Sequence, residues 1–238
     1  MALQSTLQRR AATVLAALLL LLVAGCGSSD DDETPEQSPA QVMEQAKRHF
    51  DEAASVHISL STESTPSSGN GVLAATGTVT RDPAFEGDVK VILNGLTATV
   101  PVTSVGGKVY AQLPLQTKFS VIDPAEYGAP DPADFADPQN GLSALLTKME
   151  GLEKGKETRS GDQILTSYSG TVPGAAVKRI IPSADAEADY DTTVGVDEDG
   201  RARTVKVTGT FFSGTSDTTY DVKFDRYGQK VEITPPTS

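Results

Sequence analysis

The sequence predicts one α+β domain dominated by antiparallel strands. Three observations carry this expectation. From Val56 onward apolar residues recur mostly at a period of two, the spacing of a half-buried strand. Turn pairs such as Asn94-Gly95, Asp199-Gly200 and Tyr227-Gly228 punctuate these runs. Only three stretches show helical spacing, and they interrupt a meander rather than alternate with its strands.

The chain before the domain differs from the rest. Arg9 and Arg10 precede an uncharged run from Ala11 to Ala24. This run is too short for a membrane span, which needs about 20 apolar residues, and fits a signal-peptide core. It closes on Val23-Ala24-Gly25-Cys26, which looks like a bacterial lipobox. That likeness implies diacylglycerol on the Cys26 sulfur and cleavage before it, so residues 1–25 are expected to be a lipoprotein signal peptide. Cys26 is the only cysteine of the chain, which also excludes an internal disulfide framework and multi-cysteine metal sites. Residues 26–38 hold Asp30-Asp31-Asp32-Glu33 and little to bury, and are expected to be a solvated tether. The expected location is the cell membrane, lipid-anchored on its extracytoplasmic face.

The expected domain, 39–238, opens with a helix over about 39–54. Ser38 is placed to cap it, Pro39 stands at its first position and Gln41 completes a capping box. Val42, Met43, Ala46 and Phe50 share one face. Val56, Ile58 and Leu60 then alternate with polar residues in a first strand. A Ser/Gly turn at 67–71 leads to a strand at about 72–81, and Asp82-Pro83 breaks it. Strands follow at 85–93, 96–102 and 108–113. Four prolines among acidic residues make 123–138 a loop. Asp137-Pro138 is expected to start a second helix bearing Leu142, Leu145, Leu146 and Met149. Strands resume over 152–170. A third short helix opens at Pro173, carries Val177, Ile180 and Ile181, and stops at Pro182. Four strands are expected at 186–197, 201–213, 217–226 and 229–234.

Chemistry is scarce. The net charge of −12 argues against a nucleic-acid partner. No GxSxG, Walker A, GxGxxG, HExxH or SxxK pattern occurs. Asp197-Glu198-Asp199-Gly200 has the wrong spacing for a calcium loop and reads as a hairpin turn. His49 and His57 are the only histidines. His57 lies on the opposite strand face from Val56 and Ile58, where a surface or hydrogen-bonded structural role is expected. No enzyme activity, cofactor or metal is expected. The aliphatic helix and strand faces suit either a packed core or a lined cavity. With aromatics at 5% and no tryptophan, there is little to plug a wide curved sheet.

The ordered segments Ser55-Val56-His57-Ile58-Ser59-Leu60, Gly107 to Leu113, Asp137 to Leu142, Gly155-Lys156-Glu157-Thr158, Ser169-Gly170-Thr171-Val172 and Tyr227 to Pro236 resemble a known family. It is the actinobacterial lipoprotein family of LppX, LprA, LprF and LprG, and the LprG branch most closely. The resemblance implies a half-barrel: a strongly curved antiparallel sheet with helices on its concave face, LolA/LolB-like, enclosing an apolar cavity. It implies acyl-lipid ligands such as triacylated glycolipids or triacylglycerol, carriage across the cell envelope, and a major-facilitator exporter as partner. A monomer is expected. Phe119 and Tyr227 stand where members of that family typically have tryptophan.

The expected lining comprises Val56, Ile58, Leu60, Val89, Val91, Leu93, Val100 and Val102 from strands. From helices come Leu142, Leu145, Leu146, Met149, Val177 and Ile181. The alternative reading is an envelope interaction lipoprotein with a filled core. A hydrolase using His57 as its base is the weakest reading.

Overall fold

The computed structural model describes residues 37–64, 70–93, 95–212 and 217–237, except the side chain of Leu93. The expected signal peptide, Cys26, most of the tether, most of the 67–71 turn and Asn94 lie outside the described residues. Gln37–Ser238 form one compact unit.

The first helix, α1, spans Pro39–Glu52. Its capping box is complete. The Ser38 N–H donates to Gln41 Oε1 at 2.9 Å, and the Gln41 N–H donates to Ser38 Oγ at 3.3 Å. Val42, Met43, Ala46 and Phe50 are buried along one face.

Eleven strands follow: β1 (Ser55–Thr62), β2 (Gly71–Thr80), β3 (Ala84–Leu93), β4 (Leu96–Val105), β5 (Lys108–Ala111), β6 (Ser120–Ile122), β7 (Glu150–Ser160), β8 (Gln163–Pro173), β9 (Asp189–Asp197), β10 (Ala202–Gly209) and β11 (Thr218–Asp225). They form one sheet in the order β6-β5-β4-β3-β2-β1-β11-β10-β9-β8-β7, and the paired neighbours run antiparallel. The chain therefore starts mid-sheet and meanders to the β6 edge. It crosses to the β7 edge and meanders back, until β11 closes on β1. The crossing is a strap of two 3-10 turns, Pro124–Tyr127 and Pro132–Ala136, followed by α2 (Ala144–Thr147). A further short helix, α3 (Gly174–Val177), lies between β8 and β9.

The sheet edges are treated differently. β7 is charged and almost wholly exposed, which discourages pairing with another chain. β6 is only three residues long, another way to blunt an edge.

Several expected elements differ. β6 was not expected. The second helix shrinks to the single turn of α2, because Asp137 instead accepts from the Gln139 N–H at 2.8 Å in a tight turn, and the Leu142 N–H donates to the Phe135 carbonyl. The third helix ends at Val177, leaving Ile180 and Ile181 in the following turn. Residues 229–234 form no strand. β1 is already paired on both sides by β2 and β11, so it offers the tail no free edge. The tail is fastened locally instead: Ser55 Oγ donates to the Gln229 carbonyl at 2.7 Å, and the Gly228 N–H donates to the Ser55 carbonyl.

Candidate functional site

The inward faces of β2 to β5 are built from small aliphatic residues. Val72 and Ala75 of β2, Val89 and Val91 of β3, Ala98, Val100 and Val102 of β4 and Val109 of β5 present a continuous hydrocarbon wall. A bulge between Val72 and Ala74 shifts the alternation and brings Val72 onto that wall. Leu113, Pro114 and Ile122 extend it towards the β6 edge.

The strap roofs this wall. Asp123 and Asp131 each begin one of its 3-10 turns, accepting from the Ala125 and Ala133 N–H groups at 2.9 Å. Ser104 is the polar exception on the inner side of β4. It is fully buried, and its hydroxyl donates to Asp131 Oδ1 at 2.6 Å, pinning strap to sheet. Below the second turn, the Phe85 ring meets Phe135 edge-on at 6.5 Å. Phe85 lies over the paired Gly77 and Gly87, where any Cβ would come within 3 Å of the ring.

Between strap and wall is a cavity of about 180 Å³. Of its twenty lining residues only Tyr127 carries a polar side-chain atom, and none is charged. Pro114 is the only exposed one, so it marks the rim. Leu60, Ile180 and Ile181 form the inner partition. On their far side is a second apolar void of about 20 Å³, walled by Leu142, Leu145, Val177, Val205, Val207 and the aromatics Tyr220 and Phe224.

Apart from that small void, the neighbouring half is filled. Phe211 packs on Tyr190 at 4.8 Å and on Tyr220 at 4.6 Å. The Tyr220 hydroxyl donates to the Val72 carbonyl at 2.6 Å, and burial pushes its pKa well above the ordinary tyrosine value. At the α1 end, Phe50 meets Phe224 and Tyr227 edge-on. The guanidinium groups of Arg203 and Arg201 stand 5.4 and 5.8 Å from the Tyr227 ring centre. Arg203 also pairs with the half-buried Asp197 at 2.5 Å. Burial raises the Tyr227 pKa, and its hydroxyl donates to the Ala202 carbonyl at 2.6 Å.

The expected lining residues divide accordingly. Leu60, Val89, Val91, Val100, Val102 and Ile181 stand on the larger cavity. Leu142, Leu145 and Val177 stand on the smaller void, with Leu60 and Ile181 shared. Val56 lies in a separate small crevice beside Phe50 and Val79. Ile58, Leu146 and Met149 are buried in the packed core. Leu93 and Cys26 lie outside what is described. Sequence reasoning passed over the proline-rich roof, because it treated 123–138 only as a loop. It also passed over Ser104 and Asp131.

His57 makes contacts of 3.3 and 3.4 Å with the hydroxyls of Thr78 and Thr76 on β2. No carboxylate is among these contacts. Among the described residues no group of three or more His, Cys, Asp or Glu side chains is placed to hold a metal. Nor is any described helix long and apolar enough to cross a membrane.

The model of the LppX_LprAFG lipoprotein family matches residues 38–233, nearly the whole described unit. The chain belongs to that family. LppX_LprAFG membership accords with two solved mycobacterial lipoproteins of the same fold. LprF from Mycobacterium bovis aligns at TM-score 0.69 and 15% identity, covering 84% of this chain and 97% of its own. LppX from Mycobacterium tuberculosis aligns at TM-score 0.61 and 18% identity, covering 82% and 98%. A LolA-superfamily protein from Nitrosomonas europaea reaches TM-score 0.29 at 8% identity, a likeness too remote to argue from. No curated protein sequence matches. The open antiparallel sheet with helices and strap on one face is thus the half-barrel of the LppX_LprAFG lipoproteins.

Proposed function

We propose that this protein is a membrane-anchored carrier that holds acyl chains of lipids between strap and sheet and moves them through the cell envelope. The observation that carries this reading is the cavity wall, hydrocarbon on every side but for Tyr127. Such a wall gives a ligand hydrophobic burial and almost no hydrogen bonding, which suits an alkyl chain and little else.

Size refines the reading. About 180 Å³ exceeds the roughly 150 Å³ of an apolar cavity that binds benzene, and is below the roughly 300–1,000 Å³ of drug-sized sites. As it stands, the cavity takes a segment of one chain. Burying ten methylenes gives about 8 kcal/mol, against an association cost of roughly 4–15 kcal/mol. Durable binding therefore needs longer chains or several. Triacylated glycolipids or triacylglycerol, the ligands the family resemblance implies, require the strap or the Ile180–Ile181 partition to yield, joining the two voids. The carrier acts as a monomer, anchored through diacylglycerol on Cys26 on the extracytoplasmic face, with a major-facilitator exporter as its partner. It performs no catalysis.

Organic extract of the protein purified from its own envelope, examined by mass spectrometry, tests this. Acyl lipid in stoichiometric amount is expected. Extract free of lipid, from protein that also takes up none from vesicles, contradicts the carrier reading and favours the filled-core alternative. Separately, Cys26→Ala should move the protein out of the membrane fraction.

A further inference from the structure

The acidity of the chain is unevenly spread. It has 32 acidic residues, yet none falls between Asp88 and Asp123. That run covers the end of β3 and all of β4, β5 and β6, and holds Lys90, Lys108 and Lys118, each exposed. Apolar side chains stand in water on the same edge. Leu115 is fully exposed, Leu96 77% and Val121 60%, three of the five large exposed hydrophobics among the described residues. The opposite edge strand, β7, is instead covered in charge.

Register sets two of these leucines towards the same end of β4. Leu96 begins β4. The Gln112 N–H bonds the Pro101 carbonyl, so the β5–β6 loop runs back along β4 towards the Leu96 end. Leu115 projects from that loop directly after Leu113 and Pro114, which line the cavity, and Pro114 is the rim residue. Its φ of 69° is unusual for a bulky side chain, and strain of this kind concentrates at functional surfaces. Lys118 follows three residues later. Lys108 lies at the other end of β4, and the strap contributes the exposed Asp123 and Glu126, so the basic character belongs to the sheet side of the rim.

We propose that this rim is the surface by which the domain docks on an anionic phospholipid bilayer, with Leu115 among the acyl chains and Lys118 at the headgroups. The cavity then opens onto the membrane, and a chain passes between the two without crossing water. The proposal takes its purpose, though not its geometry, from the lipid reading of the cavity.

Because the chain has no tryptophan, Leu115→Trp reports alone. Full-length protein is mixed with vesicles of phosphatidylcholine and phosphatidylglycerol, with and without brominated acyl chains. The Leu115→Trp emission is expected to shift to shorter wavelength and to lose most of its intensity to the brominated chains. Val121→Trp, whose side chain leaves β6 on the face opposite the cavity-lining Ile122, should be quenched less, and Ile164→Trp on β8 should stay unquenched. Adding Lys118→Glu should weaken vesicle association about fivefold or more at low salt. Emission from Leu115→Trp unchanged by vesicles, or equal quenching of Ile164→Trp, overturns the docking surface. Bound lipid measured on the same preparations separates this outcome from failure of the carrier reading.

Discussion

The two halves of the sheet share one alternation of inward and outward residues, yet one half is filled and the other is hollow. Around β9 to β11 the inner layer includes Tyr190, Phe211, Tyr220 and Phe224, with α1, α2 and α3 among the elements that cover it. Over β2 to β5 the inward side chains are mainly valine and alanine, and the cover is a strap of prolines held by Ser104 and Asp131. Backbone geometry is common to both. Side-chain volume and the thickness of the cover decide which half closes. Close packing is the default of protein interiors, and the proposed carrier function rests on this departure from it.

Substitutions can break or sharpen that contrast. The largest effect is expected in the filled half. Phe211→Ala removes a ring held between two tyrosines and should cost about 3–5 kcal/mol in denaturant unfolding, without changing lipid content per folded molecule. Next comes a matched pair of insertions. Leu146→Trp overpacks the core under α2 and should cost about 1–3 kcal/mol. Val100→Trp enters the hollow, so its stability cost should be below about 1 kcal/mol. Similar costs for the two would erase the distinction between the halves.

A smaller effect is expected at the pin. Ser104→Ala removes the hydroxyl that ties the strap to β4, while Asp131 still accepts from the Ala133 N–H. It should cost about 0.5–1.5 kcal/mol and speed lipid release several-fold, measured by transfer to acceptor vesicles.

The smallest effect depends on pH. Burial, with help from the Asp131 and Asp137 charges, raises the Asp134 pKa. An acid whose folded pKa is raised is destabilising once ionised, and that penalty is absent below the unfolded pKa. Asp134→Asn should therefore raise the melting temperature slightly near neutral pH and leave it unchanged near pH 3. Asp134 is largely exposed, so solvent screening keeps the effect small.

The sequence disclosed the strands well and the hollow poorly. Alternation at Val56-Ile58-Leu60 and at Val89-Val91 is local, and it showed which residues share a face. The α1 capping box was equally local. Whether a face is packed or lined depends on what covers it, and the cover of β2 to β5 comes from 124–136, a stretch that by composition reads only as a loop. β6 was hidden because three residues carry no periodicity. The 229–234 run alternates like a strand but finds no edge to join, a fact of topology absent from the local pattern. Ile180 and Ile181 show helical spacing, yet they serve as a partition in a turn.

The central claim is that the hollow half holds an acyl chain. Its most direct test counts lipid molecules bound per protein, by native mass spectrometry, in wild type and in Val100→Trp, both purified from their own envelope. Wild type carrying acyl lipid and a folded Val100→Trp carrying none is the predicted result. An empty wild type, or a Val100→Trp as fully loaded as wild type, contradicts it.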